Sequence, residues 1–311
     1  MHHLVRGTVL PSELSAPDNV FLPKMTILSI ALMALTAQWM GADGAALPLD
    51  SDEAVVEFLM TAEVVETKAL TGSRNLPERL TLRKDGVEAR AIFRTVDKKR
   101  KSARVGDVTI RDFHDGFVYE CAAYRLSRLL GFDNVPPCVL RTIDGRAGSV
   151  QLWIEHATTE YQNRYDVDGP FAENRSPDEF RKMRVFDALI DNFDRHPGNV
   201  LIDARDRVWF IDHTRSFRLY TDAPLDNVAS CEPALKAALT GLERGELRAL
   251  GLSVRHVEAV WRRRGQLIDR LSCATSASAS DGLPNPHEVA THHQVDGPAV
   301  EAVLRKSTLD R

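Results

Sequence analysis

The residues best placed to do chemistry lie between Asp191 and His213. Asp191-Asn192-Phe193-Asp194-Arg195-His196-Pro197-Gly198-Asn199-Val200-Leu201-Ile202 is followed by Trp209-Phe210-Ile211-Asp212-His213. Asp194 and Asn199 are five positions apart, and Asp212 comes thirteen after Asn199. Two short apolar runs, Val200–Ile202 and Val208–Ile211, flank an Asp203-Ala204-Arg205-Asp206 turn, so a hairpin there returns Asp212 to the side of Asn199. Phosphoryl transfer needs these types in this order. One carboxylate accepts the proton of an attacking hydroxyl, while an amide oxygen and a second carboxylate hold Mg²⁺ across the phosphates. Mg²⁺ favours such hard oxygen ligands. A second chemistry is also open: Asp194, His196, Asp212 and His213 as a His/Asp cluster would suit zinc or manganese in a metal-dependent hydrolase. Each residue alone is ordinary turn chemistry; the combined spacing carries the reading.

The elements that must position these groups follow from periodicity and turn signals. Val55–Ala62 reads as a short helix, Val64-Val65 opens an extended stretch, and 71–75 is a turn. Arg79–Arg83 and Ala89–Arg94 read as strands joined by Lys84-Asp85-Gly86, with the favoured Asp-Gly pair. Lys98-Lys99-Arg100-Lys101 reads as a solvated basic loop; no aromatic residue interleaves with it as in a nucleic-acid groove. Asp115 can cap a helix from about Phe117 to Leu130, closed by Gly131. On its wheel Val118, Ala122, Leu126 and Leu129 form a stripe and Glu120 points away, toward solvent. Cys138–Arg141 and Ser149–Ile154 read as strands around Asp144-Gly145. From Pro177 the pattern turns helical, to about Asn192 and again over 234–250 and 254–271. Asp187 and Asp191, four apart, read as bracing for the loop or as solvated helix surface, and Arg262-Arg263-Arg264 as a wet face. The Ser-, Ala-, Thr-, His- and Pro-rich stretch 273–311 has the composition of a disordered tail.

Composition narrows the classes. The 311 residues carry a formal charge of −4, so no overall electrostatic pull toward nucleic acid or an anionic membrane is expected. Four cysteines, Cys121, Cys138, Cys231 and Cys273, lie far apart with no C-x-x-C pair, which argues against a zinc ribbon, a redox dithiol or a dense disulfide framework. Ile27–Ala37 is apolar but too short for a confident spanning helix. It has the length of a signal-peptide core, and 41–46 offers small residues for cleavage. Residues 1–50 are therefore read as a leader. Export or envelope association through the segment after Met25 is one expectation, with membrane contact only through residues 25–46 if that segment is uncleaved. A cytoplasmic location is the other.

Asp194-Arg195-His196-x-x-Asn199 with Ile211-Asp212-His213 resembles the protein-kinase-like superfamily whose catalytic loop is written D-R-H-x-x-N. That group includes the phosphatidylinositol 3- and 4-kinases, the HipA-type kinases and the secretory-pathway relatives of the Golgi casein kinase. Tyr119–Phe132 with Val135-Pro136-Pro137 resembles the secretory kinases in the helix that carries an ion-pair Glu, and Ala91–Arg94 resembles their ATP-binding strand. The resemblance implies an α+β, two-lobed kinase-like fold, with a small mixed sheet/helix N-lobe over 52–155 and a mainly helical C-lobe over 156–272. It implies ATP with Mg²⁺ (or Mn²⁺), Asp194 as catalytic base, and His196 assisting at the γ-phosphate or bracing the loop. Asn199 and Asp212 would be metal ligands and Glu120 the partner of a phosphate-binding cation. Gln151–Glu155 would form the hinge against which adenine stacks, with Gln151 and Trp153 contributing. The cation's position holds Arg94 instead of lysine, with Lys84 as another candidate, and only Gly72-Ser73 could lie over the phosphates. A hydroxyl acceptor of unspecified class is expected, no nucleic acid. A pseudokinase scaffold and the hydrolase above are the alternatives.

Overall fold

The computed structural model describes residues 39–71, 75–105, 108–166, 176–230 and 232–273. The apolar run Ile27–Ala37, the pair Gly72-Ser73, Cys231 and the tail beyond Cys273 lie outside the described residues.

Helix α1 (Asp52–Thr61) starts where the Ser51 hydroxyl accepts from the Ala54 N–H. It buries Val55, Phe58 and Leu59 against an antiparallel sheet of β1 (Glu63–Ala69), β2 (Glu78–Lys84) and β3 (Val87–Arg94). Asp85 and Gly86, both at positive φ, close the β2–β3 hairpin as the Asp-Gly pair predicts. Next come β4 (Asp97–Val105) and β5 (Val108–Gly116), a two-stranded ribbon. The basic run Lys98–Lys101 is thus a strand, a correction to the loop expected from its charge. Helix α2 (Val118–Leu129) follows, then β6 (Cys138–Ile143) and β7 (Arg146–Leu152), which complete the sheet in the order β1-β2-β3-β7-β6. At Gly148 of β7 a Cβ would clash with the Phe93 ring and sit 2.5 Å from the Arg94 carbonyl, so only glycine lets β7 approach β3 this closely.

At α2 one detail departs from the sequence reading and another goes beyond it. Asp115 does not cap the helix, whose N-cap is Phe117 without a side-chain bond; it accepts from Asn75 and Arg215. A disulfide joins Cys121 of α2 to Cys138 of β6, with Cα atoms 4.9 Å apart.

The rest is mainly helical: β8 (Thr158–Thr159), α3 (Glu160–Asp166), α4 (Pro177–Ile190), a 3₁₀ turn at Pro197–Asn199, and β9 (Val200–Ile202) with β10 (Val208–Phe210). Helices α5 (Pro233–Gly241), α6 (Arg244–Arg248) and α7 (Val254–Arg270) end the described chain, so 234–250 is two helices where one was expected. Two hydrophobic cores result. One lies between α1 and the five-stranded sheet; the other packs α2, α4 and α7 around Leu126, Phe186, Leu189 and Val260. Arg263 is no wet face: it is wholly buried on α7 and donates to the Leu189, Arg218 and Tyr220 carbonyls. Gly41–Ala46 forms a closed turn, with Met40 bridged to Ala46, and Trp39 before it is buried against Trp209. Cleavage within 41–46 would therefore withdraw Trp39 from the core. No described helix is long and apolar enough to cross a membrane.

Candidate active site

The α4 helix ends at Asp191, which takes the left-handed conformation (φ 52°) and turns the chain into the loop carrying Asp194. Asp is among the few non-glycine residues that tolerate this region. Asp187, one turn back, grips Arg195 through both carboxylate oxygens (2.8 and 3.0 Å). Arg195 then donates to the carbonyls of Asn199 (2.5 Å) and Ile211 (2.8 Å) and to Nε2 of His213 (3.0 Å). One guanidinium thus staples the loop bearing Asp194 and Asn199 to the strand end bearing Asp212. The motif marks Arg195, but sequence reasoning assigned it no role.

His196 lies at the N-cap of the 3₁₀ turn, where its Nδ1 accepts from the Gly198 N–H (3.1 Å); in this geometry it braces the loop. The Asn199 amide N–H donates to the Asp194 carbonyl (3.0 Å), leaving the amide oxygen as the atom able to face a cation. The β9–β10 hairpin returns the chain as expected, and the Ile211 N–H donates to the Asn199 carbonyl (3.2 Å). Asp212 is itself left-handed (φ 57°), a sharp turn that keeps its carboxylate partly exposed while His213 is driven inward.

Glu120 is 0% exposed, contrary to the solvent position its helical wheel suggests. Helix α2 is covered on nearly every side, so a single-stripe reading does not apply. The Glu120 Oε1 accepts from the His213 N–H (3.1 Å) and lies 3.6 Å from Nε of Arg94, whose Nη2 is 3.9 Å from Asp212 Oδ2. Because Arg195 has only donors, His213 Nε2 must accept, leaving the ring proton on Nδ1, 3.5 Å from Glu120 Oε2. Burial works to raise the Glu120 pKa, but the Arg94 guanidinium and His213 outweigh it and hold the carboxyl well below its usual range. The charged form therefore contributes stability above the unfolded pKa of about 4.3, and that contribution is lost as pH falls toward the depressed native value. Glu120→Ala leaves Arg94 buried with only its longer contact to Asp212. Urea unfolding should show a loss of about 3–5 kcal/mol near neutral pH; a loss under about 1 kcal/mol would mean the pair contributes little.

Arg94 is 7% exposed and its Nη1 is buried with no hydrogen-bond partner. Lys84 is not its substitute: it lies on the surface, bonded to Glu57 and Thr61. Arg94 lines a cleft of about 290 Å³ whose walls also include Ile92, Leu152, Trp153, Leu201 and Ile211. Gln151 also lines the cleft, but its amide is committed to the Pro136 carbonyl (3.3 Å), and the Trp153 N–H donates to the Arg90 carbonyl (3.0 Å). Three residues after Asp212, Arg215 reaches Asp115 with Nε and Asp194 Oδ2 with Nη1, both at 3.0 Å. Sequence reasoning missed Arg215, since nothing local marks a pairing across 100 residues. Burial raises the Asp194 pKa and the neighbouring Asp212 adds to this, while Arg215 and His196 partly oppose it. The Asp/His hydrolase site is not assembled. His213 is buried toward Glu120 and Arg195, and among the described residues no group of three His, Cys, Asp or Glu side chains could hold a metal.

No family model matches the chain. Over 71% of its length it superposes on 74% of the Golgi casein kinase crystal structure, at 16% identity and a TM-score of 0.50. The chain has a protein-kinase-like fold. A hydra Fam20 structure with sugar aligns to the same share of this kinase-like chain, covering 89% of its own, with TM-score 0.47 and 16% identity. Among curated proteins, Protein Rv2133c of Mycobacterium tuberculosis is 27% identical over 138 residues, 35% of this chain and 50% of that protein. The kinase-like chain thus matches about half the length of that curated relative. In this fold β3 carries Arg94, α2 carries Glu120, and Asn199 and Asp212 flank the β9–β10 hairpin.

Proposed function

We propose that the chain is an ATP- and Mg²⁺-dependent phosphotransferase that moves the γ-phosphoryl group to a hydroxyl of a protein, lipid or small molecule. The observation that carries this is Arg94: buried, held between Glu120 and Asp212, carrying an unpartnered N–H and lining a largely apolar cleft. An unpaired buried donor is costly, and a phosphate oxygen is the partner that would satisfy it. The apolar walls suit a nucleobase stacked beside Trp153. Asp212 and the Asn199 amide oxygen form a hard-oxygen pair that would hold Mg²⁺ or Mn²⁺. Such an ion, when bound, neutralises charge on the phosphates.

Asp194 accepts the proton of the acceptor hydroxyl, and Arg215 fixes the carboxylate's orientation by occupying Oδ2. Burial makes Asp194 a stronger base than a surface aspartate. Because the ionised form is the competent one, kcat/KM should fall with decreasing pH along an acid limb above the ordinary aspartate value of about 3.9. An acid limb at or below that value would contradict this assignment.

The second reading, a nucleotide-binding pseudokinase, is favoured by one feature: Arg94 stands where the kinases the chain resembles carry lysine, and its planar fork lies 3.9 Å from the carboxylate that would hold the metal. Incubation with Mg²⁺ and ATP, followed by mass spectrometry of the chain and of a panel of hydroxyl acceptors, separates the two. Transfer supports the enzyme; nucleotide-dependent thermal stabilisation with no ATP consumed supports the scaffold. For location, the Cys121–Cys138 bridge favours an oxidising compartment, hence export.

A further inference from the structure

The basic strand that the phosphotransferase reading leaves unused borders a second pocket. This pocket, about 390 Å³, lies between β4–β5, the start of α2, the start of α7 and the segment just after Asp212. Lys99, Arg100 and Lys101 line one side, Arg218 the other, and Asp112 is the acidic residue among its lining. Arg218 is committed to Asp191, and Lys99 leans 3.5 Å from Asp97. Arg100 and Lys101 make no ion pair among the described residues. At the floor, the Tyr119 hydroxyl bonds to His114 Nδ1 (2.5 Å) and His256 Nε2 (3.2 Å). Ser216, 1% exposed, also lines the pocket, and its Oγ is buried with no hydrogen-bond partner.

Two observations therefore converge independently. The lining carries an excess of positive charge with two uncommitted cations, and a buried hydroxyl lacks a partner. Buried polar groups normally have a partner in the native state, and a phosphate oxygen accepts both from hydroxyls and from cationic N–H groups. We propose that this pocket binds a phosphate-monoester dianion at a site separate from the nucleotide cleft, with Arg100 and Lys101 supplying charge and Ser216 Oγ a hydrogen bond. The site shares no lining residue with the cleft that Arg94 lines. It does not rest on phosphoryl transfer being the activity.

The test is calorimetric titration of the full chain with inorganic phosphate at fixed ionic strength, with Mg²⁺-ADP present in excess so that the cleft is not the site measured. A parallel arm measures sedimentation with phosphatidylcholine vesicles containing phosphatidic acid, which presents the same headgroup chemistry from a lipid. Saturable binding in either arm is expected, and the arm that responds identifies the source. Arg100→Gln/Lys101→Gln, at exposed positions, should weaken it at least tenfold. Ser216→Ala should weaken it severalfold, with Mg²⁺-ADP affinity unchanged in both variants. No saturable binding in either arm, or equal affinity in wild type and the double variant, would overturn the proposal.

Discussion

Replacing Asp212 by Ala is expected to remove the Mg²⁺-dependent part of nucleotide affinity. In wild type, adding Mg²⁺ should tighten ATP binding at least a hundredfold, about 2.7 kcal/mol; in Asp212→Ala, affinity with and without Mg²⁺ should coincide. The argument is local. The left-handed turn at Asp212 leaves its carboxylate 3.9 Å from the Arg94 guanidinium that lines the cleft, Thr214 Oγ1 donates to Oδ1 at 3.2 Å, and the returning hairpin brings the neighbouring Ile211 N–H onto the Asn199 carbonyl. Removing it leaves Asn199 as the remaining member of the proposed ligand pair, and one neutral oxygen is a poor site for a cation that sheds water reluctantly. The fold should survive, because Asp212 is partly exposed and its ion pair with Arg94 is long. Calorimetry at matched ionic strength checks both halves. Equal Mg²⁺ dependence in the two proteins would remove Asp212 from the metal site.

Asp194→Asn is expected to leave nucleotide affinity within about twofold while turnover falls by about 10²–10⁴, the usual contribution of a positioned base. Asn preserves size and the ability to accept from Arg215, so the loop held by Arg195 should stay in place. The loss would therefore report proton acceptance and not folding. Turnover within a few fold of wild type would show that Asp194 is not the base.

Much of this was legible in the sequence because short-range signals and tertiary demands agree. The Asp-Gly pairs at 85–86 and 144–145 make the hairpins they predict, with both residues at positive φ. The five- and thirteen-residue steps likewise place Asn199 and Asp212 as the hairpin requires. The failures have a common physical origin in long-range contacts. Glu120 looks polar and exposed on its own helix, yet it is buried because Arg94, from a strand, and His213, from a loop, supply the charge and hydrogen bond that make burial tolerable. Arg263 follows the same logic with three carbonyl acceptors from elsewhere in the chain. The β4–β5 ribbon is hidden because its first strand is mostly charged and shows no apolar alternation. The Cys121–Cys138 bridge could not be deduced, since connectivity depends on a topology that spacing does not encode.

Arg195 and Arg215 show what position-by-position reading overlooks. Both act by gathering groups from separate segments: Arg195 links α4, the loop and the strand end, and Arg215 links the ribbon to Asp194. Arginine suits this work because its fork serves several acceptors at once and stays charged when partly buried.

The most direct measurement is the location of Mn²⁺ by anomalous scattering in crystals grown with ADP. Manganese coordinated by Asp212 and the Asn199 amide oxygen, with the diphosphate against Arg94 and the base between Ile92 and Leu201, is the result predicted. Manganese bound elsewhere, or ADP absent from that cleft at saturating concentration, would contradict it.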